Sequence, residues 1–123
     1  MGYEASGRVL IVDDEPLVCE LLRNFLTRFH EVATAADGTD ALRIVPIFQP
    51  DVIVTDMTMP GMSGADLLDA LRRAGVTVPV ILMSGQPILT SDGFFGVLKK
   101  PFDLQKLADV VTGAMNHGRS ESA

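Results

Sequence analysis

Short apolar runs alternate with helix-like patterns along the whole chain. The runs are rich in β-branched residues and apolar throughout, without the strict in–out alternation of a half-exposed strand. This pattern is typical of a parallel sheet covered by helices on both faces, which makes the predicted fold class α/β. The predicted strands are Arg8–Val12, Glu31–Ala35, Asp51–Thr55, Val78–Met83 and Phe94–Leu98.

The segment after the first strand predicts an amphipathic helix. Pro16 suits the first helical turn, and Asp14 or Glu15 is placed to cap it. Apolar residues recur at four-residue steps, with a second apolar row beside them, and together they predict one stripe that faces the core. The two rows are Leu17, Leu21, Phe25 and Phe29, and Val18, Leu22 and Leu26.

Three more helices carry start and stop signals. Asp37 precedes the second helix, and Pro46 is expected to end or kink it because proline lacks an N–H and crowds the preceding turn. The segment Ser63–Asp66 resembles a capping box for the third helix, and Gly75 is a suitable residue just past its end. Asp103 is placed to cap the last helix.

Length and composition indicate one domain. The chain has 123 residues, and we assign residues 8–116 to the domain and 1–7 and 117–123 to flexible termini. No apolar run approaches the roughly 20 residues of a membrane span, and the first residues lack the apolar core of a signal peptide. We therefore expect a cytoplasmic protein with no membrane partner.

Net charge and the rarer residues narrow the function further. The net charge of −6 argues against direct contact of this domain with nucleic acid phosphates. A single cysteine, Cys19, excludes an internal disulfide, and we expect it to be a small buried side chain.

We expect His30 and His117 to be surface residues and neither to be a phosphodonor. The loop methionines Met57, Met59 and Met62 are expected to pack.

Chemically active side chains follow the ends of the predicted strands. In a parallel sheet these ends form one edge, where ligands bind. Three carboxylates there would repel one another unless a cation lies among them, and without nearby histidine or cysteine that cation is a hard one such as Mg²⁺. A lysine and a hydroxyl would complete a site that orients a phosphoryl group, with one carboxylate as nucleophile. The residues are Asp13, Asp14, Asp56, Ser84 and Lys100.

The motifs at these positions resemble those of the response-regulator receiver family. VLIVDDEP, VIVTDMTMPGMSG, VILMSG and LKKPF occur in the family's order between Arg8 and about Met115. The resemblance implies a flavodoxin-like three-layer sandwich with a five-stranded parallel sheet of order 2-1-3-4-5 and about five helices. It also implies a cis peptide bond before Pro101.

The same resemblance implies a role for each site residue. Asp56 matches the phosphoacceptor. The implied Mg²⁺ ligands are Asp56, Asp14, Asp13 (directly or through water) and the backbone carbonyl of Thr58. Lys100 matches the phosphate-binding lysine and Ser84 the switch hydroxyl. Thr58 and Gln86 lie at positions that tune water access to the acyl phosphate.

Two departures from the family concern the switch. The segment between Ser84 and Lys100 is short, so we expect the fourth helix to be shortened or replaced by a loop. Val97 stands where the family has an aromatic residue. We therefore expect signalling through an order–disorder change of the loop 86–93. The neighbouring phenylalanines 94 and 95 are expected to pack in the core, with partner-facing anchors as the alternative.

The resulting functional prediction is a phosphorylation-dependent receiver of a two-component phosphorelay. Its donor would be a sensor histidine kinase or a histidine phosphotransfer protein, and its output would be contact with a downstream protein. It would catalyse only its own phosphorylation and dephosphorylation. The alternatives are a pseudo-receiver acting as a constitutive binding module, and an aspartyl-phosphate hydrolase. Thr58 disfavours the hydrolase, because those enzymes carry a second aspartate at that position.

Overall fold

Strands and helices alternate along the chain until the last pair of strands, which no helix separates in the part of the chain described. The computed structural model describes residues 7–88 and 92–122. The strands are β1 (Arg8–Val12), β2 (Glu31–Ala35), β3 (Val52–Asp56), β4 (Val80–Ser84) and β5 (Gly96–Lys99). The helices are α1 (Pro16–Leu26), α2 (Gly38–Phe48), α3 (Gly64–Arg73) and α4 (Leu104–Ser122).

The five strands form one parallel sheet of order β2-β1-β3-β4-β5. The predicted α/β fold class and strand order are therefore confirmed. The last three strands lie one or two residues later than predicted, so Asp56 and Ser84 are themselves strand residues. In the register, Asp56 pairs with Met83, and Ser84 pairs with Lys99. These pairings bring the carboxyl ends of β3, β4 and β5 to one edge.

Two apolar clusters cover the two faces of the sheet. One contains Val9, Ile11, Val52, Val54, Ile81, Met83 and Leu98 together with buried residues of α1 and α4. The other contains Leu10, Val12, Ile53 and Val80 together with buried residues of α2 and α3. Because successive strand residues point to opposite faces, an uninterrupted apolar strand serves both clusters at once. Cys19 belongs to the first cluster and Met59 to the second, as predicted for both.

Helix α1 buries a narrower face than the sequence predicts. Cys19, Leu22 and Leu26 are buried, whereas Leu17 is 79% and Leu21 56% exposed. The two apolar rows differ by about 100° around the helix axis, and in the first row Phe25 alone packs against the first cluster, partly buried. The prediction of a single core-facing stripe is therefore wrong, and Leu17, Leu21 and Phe29 form an exposed apolar row instead.

Helix ends follow the predicted signals at most positions. The Asp37 side chain accepts a hydrogen bond from the Asp40 amide at α2, and Ser63 and Asp66 form the capping box of α3. The Asp103 side chain accepts from the Lys106 amide at 2.7 Å in the first turn of α4. Gly75 has a φ of +82°, as expected just past a helix end.

Pro46 does not end α2, because this helix continues to Phe48, and the alternative expectation of a kink at Pro46 stays a prediction. Proline here removes one hydrogen bond in a last turn that is about to end. Gln49 then caps the helix in a left-handed conformation, with φ of 54°, and its amide donates to the Val45 carbonyl.

The connection between β4 and β5 contains no helix among its described residues, which are 85–88 and 92–95. This agrees with the prediction that the fourth helix is shortened or replaced. Phe94 packs against the second cluster, while Phe95 and Val97 are 38% and 37% exposed. The hypothesis of an order–disorder change in this loop falls in part on residues 89–91, which lie outside the described residues.

The assignment of residues 8–116 to one domain stays a prediction, and two observations concern its ends. Helix α4 continues to Ser122, through residues predicted to be a flexible tail. At the other end, the Gly7 carbonyl accepts a hydrogen bond from the Glu31 amide, so Gly7 already belongs to the folded part. His30 is buried (6% exposed), contrary to prediction; it directly precedes β2, and its amide donates to the Leu26 carbonyl. His117 is exposed as expected. Among the described helices, none has the length and apolar character to cross a membrane.

Candidate functional site

Three aspartates meet at the carboxyl edge of the sheet. Asp13 directly follows β1, Asp14 comes next, and Asp56 is the last residue of β3. Because β1 and β3 are paired neighbours, their ends lie side by side. Each aspartate offers one carboxylate oxygen, and the three oxygens lie within 4.8 Å of one another. The sequence prediction that these three residues form one cluster is confirmed in geometry.

The cluster is buried on one side and open on the other. Asp13 and Asp56 are 1% and 8% exposed, whereas Asp14 is exposed. An open cavity of about 310 Å³ begins at Asp13 and Asp14 and extends between α1 and the end of β2. The cavity therefore opens Asp13 and Asp14 to solvent, while Asp56 is not part of its lining.

Asp13 is held in place by its own neighbours in the chain. Its Oδ1 accepts a hydrogen bond of 2.9 Å from the Glu15 amide, and its backbone carbonyl accepts one of 3.3 Å from the Cys19 thiol. The predicted capping of α1 by the Asp14 or Glu15 side chain is wrong: Glu15 is the N-cap residue, and no side chain there makes a capping hydrogen bond. Asp13 is oriented by the Glu15 amide instead.

The other carboxylate oxygen of Asp13 has no hydrogen-bond partner. Among the buried side-chain oxygens of the described residues, Asp13 Oδ2 is the one that lacks a hydrogen-bond partner. The Lys100 ammonium lies 3.7 Å from it. An unpartnered buried carboxylate oxygen is costly, and a hard cation is the partner that three carboxylates favour. The donor set therefore fits Mg²⁺.

Burial raises the pKa of the Asp13 carboxyl above its ordinary value. The charge of Asp56 raises the pKa further, while the Glu15 amide and the charge of Lys100 lower it. These causes show that the ionised cluster is unfavourable by itself, since both desolvation and like charge oppose it.

Lys100 supplies the positive charge of the site. Its ammonium lies 3.1 Å from Asp56 Oδ1, and its backbone amide donates to the Ser84 carbonyl at 2.7 Å. Burial lowers the pKa of this ammonium, but the hydrogen bond and charge of Asp56 and the charge of Asp13 outweigh burial, and the pKa is raised. The peptide bond to Pro101 is cis, as the sequence resemblance implied.

The Ser84 hydroxyl lies at the end of β4 and is engaged locally. Ser84 is 3% exposed; its hydroxyl donates to the Gln86 carbonyl at 3.0 Å and accepts from the Gln86 amide at 3.1 Å. The hydroxyl thus closes a tight turn at the start of the β4–β5 connection. The sequence analysis did not identify this contact, although the S-G-Q spacing permits it.

The backbone behind Asp56 is closely packed. A Cβ placed on Gly64 would lie 2.6 Å from the Asp56 carbonyl oxygen and 3.2 Å from the Met57 Cα. The Gly64 amide donates to the Met57 carbonyl at 2.8 Å. Glycine at the start of α3 therefore lets this helix approach the end of β3, which carries Asp56. The exposed Thr58 follows in the loop, and a ligand role of its carbonyl stays a prediction.

Comparison with known proteins gives the site its context. A family model for the response regulator receiver domain matches residues 9–112. The chain is 43% identical over 79 residues to the transcriptional regulatory protein KdpE of Mycobacterium tuberculosis, covering 63% of this chain and 34% of that protein. It is 32% identical over 126 residues to the transcriptional regulator NtrC of Azospirillum brasilense, covering 97% of this chain and 26% of that protein. The chain thus spans about a quarter to a third of these relatives.

Solved structures show the same fold. A response regulator receiver domain from Clostridium thermocellum superposes with a TM-score of 0.84 at 30% identity, covering 91% of this chain and 96% of that one. The response regulator TrrA of Thermotoga maritima, solved with Mg²⁺ and beryllofluoride, superposes with a TM-score of 0.79 at 29% identity, covering 87% and 97%.

Proposed function

The chain belongs to the response regulator receiver family of two-component systems, and on that basis we propose that Asp56 accepts a phosphoryl group from a phosphohistidine donor. The observation that carries this proposal is the placement of Asp56. It is nearly buried, 3.1 Å from the Lys100 ammonium, and it shares a cluster with two further carboxylates. A lone carboxylate in a structural role needs no such surroundings.

The reaction exchanges one bond to phosphorus for another. A carboxylate oxygen of Asp56 attacks the phosphorus atom, the bond to the donor imidazole breaks with its electron pair, and an acyl phosphate remains on Asp56. Lys100 would neutralise charge on the phosphoryl oxygens, and the Ser84 hydroxyl, on the neighbouring strand, would donate to them after releasing the Gln86 carbonyl. When bound at Asp13, Asp14 and Asp56, Mg²⁺ would supply the remaining positive charge.

An exposed apolar row supports a protein as the donor. Leu17 and Leu21 lie on α1, directly after the acidic cluster, and are 79% and 56% exposed. Exposed leucines next to a reactive site favour docking of another protein's apolar surface. A sensor histidine kinase or a histidine phosphotransfer protein fits this description, and each carries its phosphoryl group on a histidine.

The net charge of the chain supports an output through contact with another protein. Relatives such as KdpE and NtrC are transcriptional regulators, and the chain matches only part of their length. With a net charge of −6, we propose that this domain itself signals by protein contact and leaves any nucleic acid binding to other parts of a longer protein. We propose that its catalysis is confined to its own phosphorylation and dephosphorylation.

Binding of beryllofluoride, which mimics a phosphoryl group, tests this proposal. Amide NMR spectra of the wild type and of Asp56→Asn are recorded with Mg²⁺, before and after beryllofluoride is added. The proposal predicts shifts around residues 56, 84 and 100 in the wild type alone. An unresponsive wild type that binds neither Mg²⁺ nor beryllofluoride would contradict it and favour the pseudo-receiver, a constitutive binding module.

A further inference from the structure

The loop that joins β3 to α3 carries Thr58 and is fixed at its two ends by backbone hydrogen bonds. The Met57 amide donates to the Met83 carbonyl at 2.9 Å, and the Gly64 amide donates to the Met57 carbonyl at 2.8 Å. Inside the loop, the Met62 amide donates to the Pro60 carbonyl at 2.9 Å. This last bond closes on the loop itself, so it does not tie the loop to the rest of the domain.

Two methionine side chains attach the middle of the loop to the domain. Met59 is 8% exposed and packs in the cluster beneath α2 and α3, where its sulfur lies 4.0 Å from the Thr55 hydroxyl. Met62 is partly buried against the same cluster and lies on Gly38, the first residue of α2. Thr58 therefore lies between Met57, which is held by two backbone hydrogen bonds, and the buried Met59, and Met62 attaches the loop to α2 farther along.

The contact between Met62 and Gly38 leaves no space for a side chain. A Cβ placed on Gly38 would lie 2.5 Å from Met62 Sδ, 2.9 Å from Cγ and 3.0 Å from Cβ. Gly38 is buried and does not have a positive φ, so alanine can adopt its backbone conformation. The close approach of Met62 is thus the reason for glycine here. Because Sδ and Cγ make the two closest contacts, alanine at Gly38 must displace the Met62 side chain and thereby strain the loop that carries it.

We propose that Met62 is a positioning residue. Its contact with Gly38 fixes the position of the β3–α3 loop relative to the three aspartates, and this position determines how tightly the acidic site binds Mg²⁺. The inference rests on the proposed Mg²⁺ site at Asp13, Asp14 and Asp56, and on the prediction that the Thr58 carbonyl is a further ligand of the ion. Mg²⁺ demands nearly ideal octahedral geometry, so a small displacement of one ligand lowers its affinity.

The test is a double-mutant cycle with Gly38→Ala, Met62→Ala and both together. The Mg²⁺ dissociation constant is measured by amide NMR titration, and the free energy of unfolding by urea in EDTA. Gly113→Ala is the matched control, because a Cβ there meets only Phe95, at 3.8 Å and far from the loop. We expect Gly38→Ala to weaken Mg²⁺ binding about fivefold, a factor within the usual coupling between contacting residues. Met62→Ala should weaken it about twofold, and the double variant should resemble Met62→Ala.

The possible outcomes distinguish a failure of the Met62–Gly38 inference from a failure of the proposed Mg²⁺ site. If the wild type binds Mg²⁺ and Gly38→Ala binds it equally well, the contact is only structural and the inference is wrong. If the double variant shows the product of the two single effects, Met62 and Gly38 act independently, which also overturns it. If Gly38→Ala does not fold, Met62→Ala alone decides, since it creates no clash: unchanged affinity overturns the proposal and weakened affinity supports it. A wild type that binds no Mg²⁺ refutes the metal site itself.

Discussion

The Lys100 ammonium lies 3.1 Å from Asp56 Oδ1 and 3.7 Å from Asp13 Oδ2. One lysine thus bridges the proposed phosphoacceptor and the buried carboxylate oxygen that has no hydrogen-bond partner. A single positive charge offsets part of the repulsion among three carboxylates. The rest of that repulsion is what the proposed Mg²⁺ would relieve.

Removal of the Lys100 charge should separate metal binding from phosphoryl transfer. Two unit charges about 4 Å apart interact by about 1 kcal/mol even at the dielectric constant of water. Lys100→Met should therefore bind Mg²⁺ several times more tightly, since one competing cation is gone. It should also accept phosphate from acetyl phosphate more slowly, because the phosphoryl oxygens lose a partner. Mg²⁺ titration and phosphorylation kinetics check the two effects, and tighter binding with unchanged kinetics would contradict the role of Lys100.

Neutralising Asp13 should stabilise the metal-free protein. Because the folded state raises the pKa of Asp13, the ionised carboxylate opposes folding at neutral pH. Asp13→Asn should therefore have a higher free energy of unfolding than the wild type at pH 7 in EDTA. Below the ordinary carboxyl pKa of 3.8, the wild-type residue is protonated in both states and the gain should vanish. Urea unfolding between pH 3 and 7 measures this, and a destabilised variant at pH 7 would contradict it.

The Ser84 hydroxyl should hold the start of the β4–β5 connection in the unphosphorylated state. Ser84→Ala removes both contacts with Gln86 and should cost about 1 kcal/mol. Amide exchange at Gln86 should accelerate accordingly. Ser84→Thr keeps the hydroxyl and is the matched control. Equal exchange in all three proteins would show that the hydroxyl does not hold this turn.

A side chain on Gly64 should displace the strand end that carries Asp56. The Cβ would lie 2.6 Å from the Asp56 carbonyl oxygen, which belongs to a hydrogen-bonded backbone that cannot easily yield. Gly64→Ala should therefore lose about 1–3 kcal/mol of stability through overpacking, despite the higher helix propensity of alanine. Urea unfolding beside Gly113→Ala checks this; equal stability of the two variants would contradict the close approach.

Leu21 and Leu22 are neighbours in the sequence with opposite environments. Leu22 is 2% exposed, so Leu22→Ala should cost about 2–5 kcal/mol. Leu21 is 56% exposed, so Leu21→Ala should change stability by less than about 0.5 kcal/mol. Urea unfolding of both variants measures the difference. A large loss for Leu21→Ala would mean that this row belongs to the core and is not available to a partner.

The same pair shows what the sequence can and cannot reveal. The parallel sheet and the acidic cluster were predictable from apolar strands and their polar ends, whereas the strand order was implied by the resemblance of the motifs to the receiver family. The buried face of α1 was not, because both apolar rows fit a helical period and only the sheet decides between them. His30 was misassigned for a related reason: a turn's direction after a helix depends on tertiary packing. The Met62–Gly38 contact joins two segments distant in sequence, and no local pattern signals it.

Phosphorylation of Asp56 is the most direct test of the account. The protein is incubated with acetyl phosphate and Mg²⁺, and its intact mass is measured beside Asp56→Asn, beside Asp109→Asn as an exposed control on α4, and in EDTA. The account predicts a gain of about 80 Da, one phosphoryl group on a carboxylate, in the wild type and Asp109→Asn alone. An equal gain in Asp56→Asn, or no gain in a wild type that also fails to bind beryllofluoride, would contradict it.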